Sequence, residues 1–443
     1  MSNAHPAGPA GTGPATIEPP SDRQRRKVLW ASLVGTSLES FDFYVFSYLS
    51  AFFIGPLFFE PLGGFGGTLS AFLTSALGFV ARPLGAIIFG HLGDRFGRRA
   101  TLIMTITIMG VATGAIGLLP DYASAGWVGA ILLVALRLIQ GLSLGGEWGG
   151  AVLLSTESAR PGRRAFYAAV PQLGSPVGSI LSAALYLALP LLLNEADLLS
   201  WGWRIPFLVA FPLLLISLWL RFSIEETPVF RELVAEDRRA KVPLLQAFRQ
   251  RPLALLLATG AALLGIGSYS LMNTYTLNYG VTSLGFDYSQ LLAATTIGGL
   301  LQLITIPLFG AWAERIGSGR VVLIGAVGTL IAAFPIYALL QSASFGVLVA
   351  MMIIGGILPT LSWAALGGLM TELFAGRIRY AAISFAYAIA AIISGFVPAI
   401  TLLLGESTGY AWWHPGVVLA AMSVITAISA AFALRRTVPI DVI

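Results

Sequence analysis

The segment Gly90-His91-Leu92-Gly93-Asp94-Arg95-Phe96-Gly97-Arg98-Arg99 decides how this chain folds. It is a short, charged, glycine-rich turn between two apolar runs, from about Gly67 to Phe89 and from Ala100 to Leu119. A helix needs roughly 20 apolar residues to cross the ~30 Å hydrocarbon core, so each run can span a membrane. A connector this tight makes the two helices antiparallel neighbours. Arg95, Arg98 and Arg99 are costly to translocate, which predicts a cytoplasmic turn and fixes the side of every other loop.

The composition agrees. Of 443 residues, 56% are hydrophobic and 11% charged, where soluble domains carry roughly 25% charge. The net charge of +5 is scattered over short loops rather than laid along one face, so it reads as positive-inside bias and not as a nucleic-acid footprint. There is no cysteine, hence no disulfide, thiolate metal site or cysteine nucleophile. His5, His91 and His414 are far apart, which argues against a histidine metal centre. No HExxH pair, no Walker-type phosphate loop and no histidine base near a serine or threonine is present, so neither an enzyme nor an ATP-driven pump is expected, and no cofactor or metal.

Along the chain, residues 1–22 are rich in Pro, Gly and Ala and predict a disordered tail. Arg23, Arg25, Arg26 and Lys27 then precede a first apolar run far longer than the 7–15 residues of a secretory signal. Twelve spans are expected, at roughly 28–58, 67–90, 100–119, 126–154, 165–192, 203–222, 252–280, 289–312, 320–340, 344–370, 380–404 and 411–434. Loop charge supports the count. Outer loops hold Glu60, Asp121, Glu195, Asp197, Asp287 and Glu406, with Arg204 at the mouth of span six. Inner loops hold Arg95, Arg98, Arg99, Arg160, Arg163, Arg164, Arg315, Arg320, Arg377, Arg379, Arg435 and Arg436. One span more or fewer would scramble that alternation, so both termini are expected in the cytoplasm.

The fold class is therefore an all-α membrane protein of two six-helix halves, residues 23–222 and 252–436, joined by a charged helical linker over 223–251 and ending in a tail at 437–443. The halves echo each other. Gly90-His-Leu-Gly-Asp94-Arg95-Phe-Gly97 recurs 220 residues later as Gly310-Ala-Trp-Ala-Glu314-Arg315-Ile-Gly317, and Glu157 with Arg164 recurs 215 later as Glu372 with Arg379. Internal duplication of this kind belongs to transporters with a central site between the halves.

The Gly90–Arg99 turn resembles the signature of the major facilitator superfamily, and Arg137 with Gly141 and Gly145 resembles its fourth-helix motif. A narrower resemblance is to the metabolite:proton symporter family, whose members carry shikimate, α-ketoglutarate, citrate, aromatic acids or proline/betaine. It rests on Glu39-Ser-Phe-Asp42-Phe43, Arg82-Pro83-Leu84-Gly85 and Gly145-Gly146-Glu147-Trp148-Gly149-Gly150. The chain departs from that family at Ser40-Phe41, where an aromatic pair is usual, and at Ser394-Gly395, where a longer glycine-rich stretch is usual. The resemblance implies the twelve-helix fold, an inner-membrane location, a monomer, and gating by Asp94.

Chemistry is expected at the charges inside spans, each costing about 2.5–3.5 kcal/mol on the insertion scale. Glu39 and Asp42 share a face of helix one, and two close carboxylates there bring proton uptake and release within reach of neutral pH. Asp42, Glu39 and Glu147 are the candidate proton-coupling groups. Arg137 and Arg82 are candidate anchors for a substrate carboxylate, since a guanidinium fork matches it in two-point contact. The alternatives are permanent salt bridges, Arg137 with Glu147 among them. Gln172, Tyr269, Asn273, Tyr275 and Tyr387 are polar groups in spans five, seven and eleven that complete the expected substrate cavity. Gly90, Asp94, Arg95, Gly97, Arg98, Glu157, Arg164, Glu314 and Arg379 form the expected cytoplasmic gate.

The functional expectation is a proton-coupled symporter of a small organic acid. Alternatives are a zwitterion symporter or a drug/proton antiporter. Pro171-Gln172-Leu173-Gly174-Ser175-Pro176-Val177-Gly178 resembles part of an antiporter signature, but two buried arginines count against a cation exporter.

Overall fold

The computed structural model describes residues 21–222 and 243–435, apart from Gly97, Gly146 and Ala375. The two expected tails beyond those limits and residues 223–242 of the linker lie outside the described residues. So do the side chains of Gly90, Asp94, Arg95, Arg98 and Glu147. The described chain is helical, without a strand.

By length and composition, nine helices among the described residues can cross a membrane, and Ile103–Ile116 and Gly202–Ile216 are shorter apolar helices. The first helix, Asp22–Phe52, differs because it carries the buried Glu39 and Asp42. It starts earlier than its apolar run. Ser21 and Gln24 form a reciprocal capping box that satisfies the first backbone donors, and this draws the basic run Arg23–Lys27 into the helix.

Several spans are interrupted. Span four breaks between Trp127–Ser143 and Glu147–Glu157. Span five passes through a 3-10 turn at Pro171–Leu173, where proline removes a backbone donor. Span seven contains a π-helical turn, Leu271–Tyr275, and span eleven divides between Gly376–Gly395 and Val397–Ser407. Broken backbone at membrane depth is tolerated where protein covers it.

Glycine sets the helix spacing that positions the site. A Cβ on Gly85 would lie 1.8 Å from the Leu142 carbonyl oxygen, and one on Gly141 would lie 2.0 Å from that of Gly78. The Gly63–Phe96 helix and span four are thus in backbone contact, as small residues allow in membranes. Gly174 and Gly178 do the same for span five against Thr36, Ser40 and Phe41 of the first helix. The departure at Ser40-Phe41 therefore faces a helix contact rather than the site.

Helices before residue 222 and helices after residue 243 meet at both ends. At the end of the Gly90–Arg99 turn, Glu314 Oε1 accepts the Phe166 N–H at 2.9 Å, Gly310 packs on Ala169, and Glu157 faces Arg379 across the halves with Arg164 beside it. Arg379 also donates to the Phe374 carbonyl at 2.9 Å. At the far end, Asn278 Nδ2 donates to the Ala51 carbonyl at 2.8 Å and Tyr288 packs on Phe52 and Phe53. Residues of the linker helix Pro243–Gln250 pack on the second half through Phe248 and Phe385.

Candidate functional site

The site is a pair of joined recesses, the first enclosed by helices of residues 22–144 and the second between those helices and the helix Gly376–Gly395. The first is lined by Asp42, Phe43, Gly78, Phe79, Arg82, Arg137, Gln140, Gly141 and Leu144. The second is lined by Arg82, Leu144, Trp148, Gly149, Ser384, Tyr387 and Ala388. Arg82 and Leu144 belong to both.

Asp42 and Arg137 do not clasp directly, since Arg137 Nη1 is 4.0 Å from Asp42 Oδ2. A direct charge-assisted bond would be about 2.7–2.9 Å. Gln140 stands between them. Its amide donates to Asp42 Oδ1 at 2.7 Å and to Thr113 Oγ1 at 2.8 Å, while its Oε1 accepts from Arg137 Nη1 at 3.0 Å. Thr113 Oγ1 is also bonded to Asp42 Oδ1 and lies 2.8 Å from the Met109 carbonyl. Arg137 sits 3.7 Å over the Phe46 ring, a cation–π contact strengthened by desolvation, and its Nε has no hydrogen-bond partner.

Arg82 and Glu39 form the second pair, at 3.6 Å. The Arg82 guanidinium lies 4.7 Å over Phe79, and its Nε is likewise buried and unpartnered. Buried polar atoms are nearly always paired. Two arginines with open donors in one cleft are therefore poised for an acceptor.

An aromatic layer adjoins these pairs. Trp148 stacks on Tyr387 with centroids 4.0 Å apart and planes at 9°, and Trp363 lies 6.0 Å from Trp148, tilted by 31°. Gln172 ties this layer together. Its Oε1 accepts from Trp148 Nε1 at 2.9 Å and its Nε2 donates to the Trp363 carbonyl at 3.0 Å, linking the halves.

The structure thus brings Glu39, Asp42, Arg82, Arg137 and Tyr387 together, with Gln172 and Tyr269 in the next layer. Tyr269 stands between Tyr44 and Trp363. Gln172 has both amide atoms occupied by protein. Asn273 bonds back to the Tyr269 carbonyl at 3.3 Å within the π-helical turn. Tyr275 is drawn elsewhere: its hydroxyl bonds His414 Nε2, and its ring stacks on Tyr279. Thr113, Phe46 and Trp363 were not singled out in the sequence, and Trp148 entered only as part of the Gly145–Gly150 motif, because the partners that give them a role lie far away in the chain. Gln140 was visible only as the neighbour three residues after Arg137. Among the described residues, no group of three His, Cys, Asp or Glu could hold a metal ion.

An all-helical chain with nine membrane-length apolar helices among its described residues, and buried charges packed between helices, has the makings of a membrane carrier. Two family profiles match the chain: "Sugar (and other) transporter" over residues 27–250 and "Major Facilitator Superfamily" over residues 257–441. The chain belongs to the major facilitator superfamily, in its metabolite:proton symporter branch. It is 37% identical to the inner membrane metabolite transport protein YhjE of Escherichia coli (strain K12), over 91% of this chain and 93% of that protein. It is 35% identical to the shikimate transporter of the same strain, over 92% and 94%. The proton:xylose symporter XylE, solved bound to 6-bromo-6-deoxy-D-glucose, superposes with a TM-score of 0.74 at 19% identity, over 93% of this chain and 95% of that one. The XylE likeness shows a shared fold. The family and these relatives are transporters.

Proposed function

We propose that this chain is a proton-coupled symporter of a small organic carboxylate, working by alternating access in a bacterial inner membrane. In this reading it has twelve spans with both termini cytoplasmic, divided into the six-helix halves 23–222 and 252–436. The nine long helices, the two shorter apolar ones and the first helix together support that number.

The observation that carries the reading is the Asp42–Gln140–Arg137 network. Glu39, Asp42, Arg82 and Arg137 sum to zero charge when all are ionised. An anion entering alone would leave a net negative charge in low dielectric, which is strongly unfavourable. One proton entering with one carboxylate charge restores neutrality. Asp42 takes the proton, the opposing charge on Arg137 is then unbalanced, and the substrate carboxylate replaces the aspartate as its counter-ion. Glu39 and Arg82 form a second such pair, and Glu147 is assigned to coupling by its place in span four. Tyr269, Asn273 and Tyr387 complete the cavity, with Gln172 and Tyr275 behind it. The pairs Glu157–Arg379 and Glu314–Phe166, together with Arg164 and the Gly90–Arg98 turn, close the cytoplasmic side.

The test is uptake by reconstituted full-length protein under an imposed proton gradient, over a panel of mono-, di- and tricarboxylates and betaines. Asp42→Asn should abolish gradient-driven accumulation while substrate exchange persists. A variant that still concentrates substrate would remove Asp42 from the proton role.

A further inference from the structure

We infer that His414 is a positioning residue that clamps the π-helical turn of span seven through Tyr275, and that protonation of His414 from the far side releases the clamp and favours opening of that end. The inference goes beyond the carboxylate and Asp42 readings and rests only on alternating access.

The cluster lies apart from the two recesses. Tyr275 ends the π-helical turn Leu271–Tyr275, and its hydroxyl bonds His414 Nε2 at the start of the helix His414–Ala433. The other ring nitrogen, Nδ1, lies 2.6 Å from the Ala411 carbonyl. A carbonyl only accepts, so Nδ1 carries the hydrogen of the neutral ring and Nε2 accepts from the tyrosine. The bond is sealed: a Cβ on Gly405 would lie 3.0 Å from Nε2 and 3.1 Å from the Tyr275 hydroxyl oxygen. His414 itself is 0% exposed.

A protonated ring does not fit this arrangement. Both its nitrogens donate, so Nε2 no longer takes the Tyr275 proton, and the cation stands where water does not reach. The titratable groups around it are Tyr275 and Tyr279 of span seven, Tyr410 of the preceding turn and Glu406 at the end of Val397–Ser407. Tyr337, on Ser318–Leu340, reaches the same turn through Thr276 at 2.9 Å. Glu406, the one acid among these groups, is exposed and pairs with the Tyr410 hydroxyl. Among the described residues no acid forms an ion pair with His414.

Two further features give the clamp two positions. Tyr410 holds a left-handed backbone, φ 56°, which a non-glycine residue keeps only where its surroundings impose it. Its ring lies 6.0 Å from that of His414, edge-on at 83°, and its N–H donates to the Gly405 carbonyl at 2.7 Å. Movement of the histidine frees that turn to relax. Next along span seven, Thr276–Thr282 carries Asn278, whose amide ties this end to Ala51 of the first helix. A hold on Tyr275 therefore acts on the segment that closes the far end, and Asn273, assigned above to the cavity, sits on the same π-helical turn.

Once the end opens, water reaches the ring, and a hydrated imidazole takes a proton near about pH 6.5. The closed form is therefore favoured above that pH and loses ground as pH falls, by about tenfold between about pH 7.5 and 5.5.

The test uses full-length protein in lipid nanodiscs with a single reporter, Phe52→Cys, beside Tyr288 at this end. Its alkylation by a charged maleimide is measured at about pH 7.5 and 5.5, and divided at each pH by the rate in the same reporter carrying His414→Gln. Glutamine can accept from Tyr275 but does not titrate, so the quotient cancels thiol ionisation and any titration of Asp42 or Glu39. The quotient should rise about tenfold on acidification. A change below about twofold overturns the inference, since a merely structural histidine would shift the rate alike at both pH values. Tyr275→Phe removes the hydrogen bond with little change of volume and should speed alkylation at the higher pH about threefold or more. An unchanged rate there overturns the clamp even if His414→Gln fails to fold. Where Asn278→Ala accelerates the reporter but the quotient stays flat, only the clamp falls. Where neither moves it, alternating access falls too.

Discussion

A hydrogen bond at the end far from the Gly90–Arg99 turn allows alternating access to be tested quantitatively. Asn278 Nδ2 donates to the Ala51 carbonyl at 2.8 Å, tying span seven of the second half to the first helix of the first half. Both residues are buried, Ala51 at 3% and Asn278 at 8% exposure. In Asn278→Ala the Ala51 carbonyl stays buried while this end is closed and loses its side-chain donor, a penalty of about 1–3 kcal/mol. When the end opens, water reaches that oxygen and the penalty vanishes. The substitution therefore shifts the balance toward the open form by roughly 5- to 150-fold. The cysteine-free sequence makes this measurable without background. A reporter Phe52→Cys, beside Tyr288, reads the far end, and Phe166→Cys, whose N–H meets Glu314, reads the turn end. Alkylation of Phe52→Cys by a charged maleimide should accelerate within that range in the Asn278→Ala background, and Phe166→Cys should become more protected. A Phe52→Cys rate within twofold of its parent would refute the latch. A parallel rise at both reporters would refute reciprocity, since it marks general loosening.

Two further predictions concern the scaffold. Gly85→Ala forces spans two and four apart, because its Cβ would meet the Leu142 carbonyl oxygen at 1.8 Å, whereas Gly64→Ala meets nothing within 4 Å. The first should lose about 1–3 kcal/mol of stability, seen as a lower melting temperature in detergent, and the second should lose none. At the start of the first helix, hydrogen bonds from Arg160 and then Arg25 hold the Asp22 carboxyl below the usual aspartate range. A depressed folded value means the tie is complete above the unfolded pKa of about 3.9 and fades as pH falls through the lower folded one. Amide exchange at this helix start, corrected for its intrinsic pH dependence, should be flat from about pH 7 to 5 and faster under high salt. Asp22→Asn should raise it at neutral pH.

Charge is expensive in hydrocarbon, and for that reason much of this protein can be read from its letters. The arginines of the loops set the alternation, and Glu39, Asp42, Arg82 and Arg137 stand out in otherwise apolar helices. Which acid meets which base is a matter of helix rotation and backbone contact. Those depend on Gly85 against Leu142 and Gly141 against Gly78, contacts between distant segments. Neutral polar residues leave still less trace. Thr113 sits among apolar neighbours on Arg98–Ile116 like any helix threonine, and its role exists only because Gln140 and Asp42 converge on it. Trp148 and Tyr387 stack across halves, so no periodicity in either helix announces the pair. Tyr275 looked like a cavity residue because span seven is dense in polar groups. The π-helical turn and the His414 ring nitrogen turn its hydroxyl toward a different partner.

In the proposed mechanism, the network around Asp42 lets a proton arrive without tearing the site apart. Thr113 has one hydroxyl proton and two acceptors within reach, Asp42 Oδ1 and the Met109 carbonyl, and it receives a further bond from the Gln140 amide. With Asp42 ionised, the hydroxyl serves the carboxylate. With Asp42 neutral, the acid proton points to Thr113 Oγ1 and the hydroxyl turns to Met109, so each donor still has an acceptor. Leaving a buried polar group unpaired would cost about 1–3 kcal/mol, and this arrangement avoids that cost in both protonation states. What does change is the charge facing Arg137, which Gln140 keeps aligned through its Oε1. In that mechanism the protonation signal would pass almost wholly by electrostatics into a guanidinium whose Nε is open. Coupling of this form requires Asp42 to be titratable and Arg137 to be positioned by Gln140 rather than locked to the aspartate, and the 4.0 Å separation between the two charges meets that requirement.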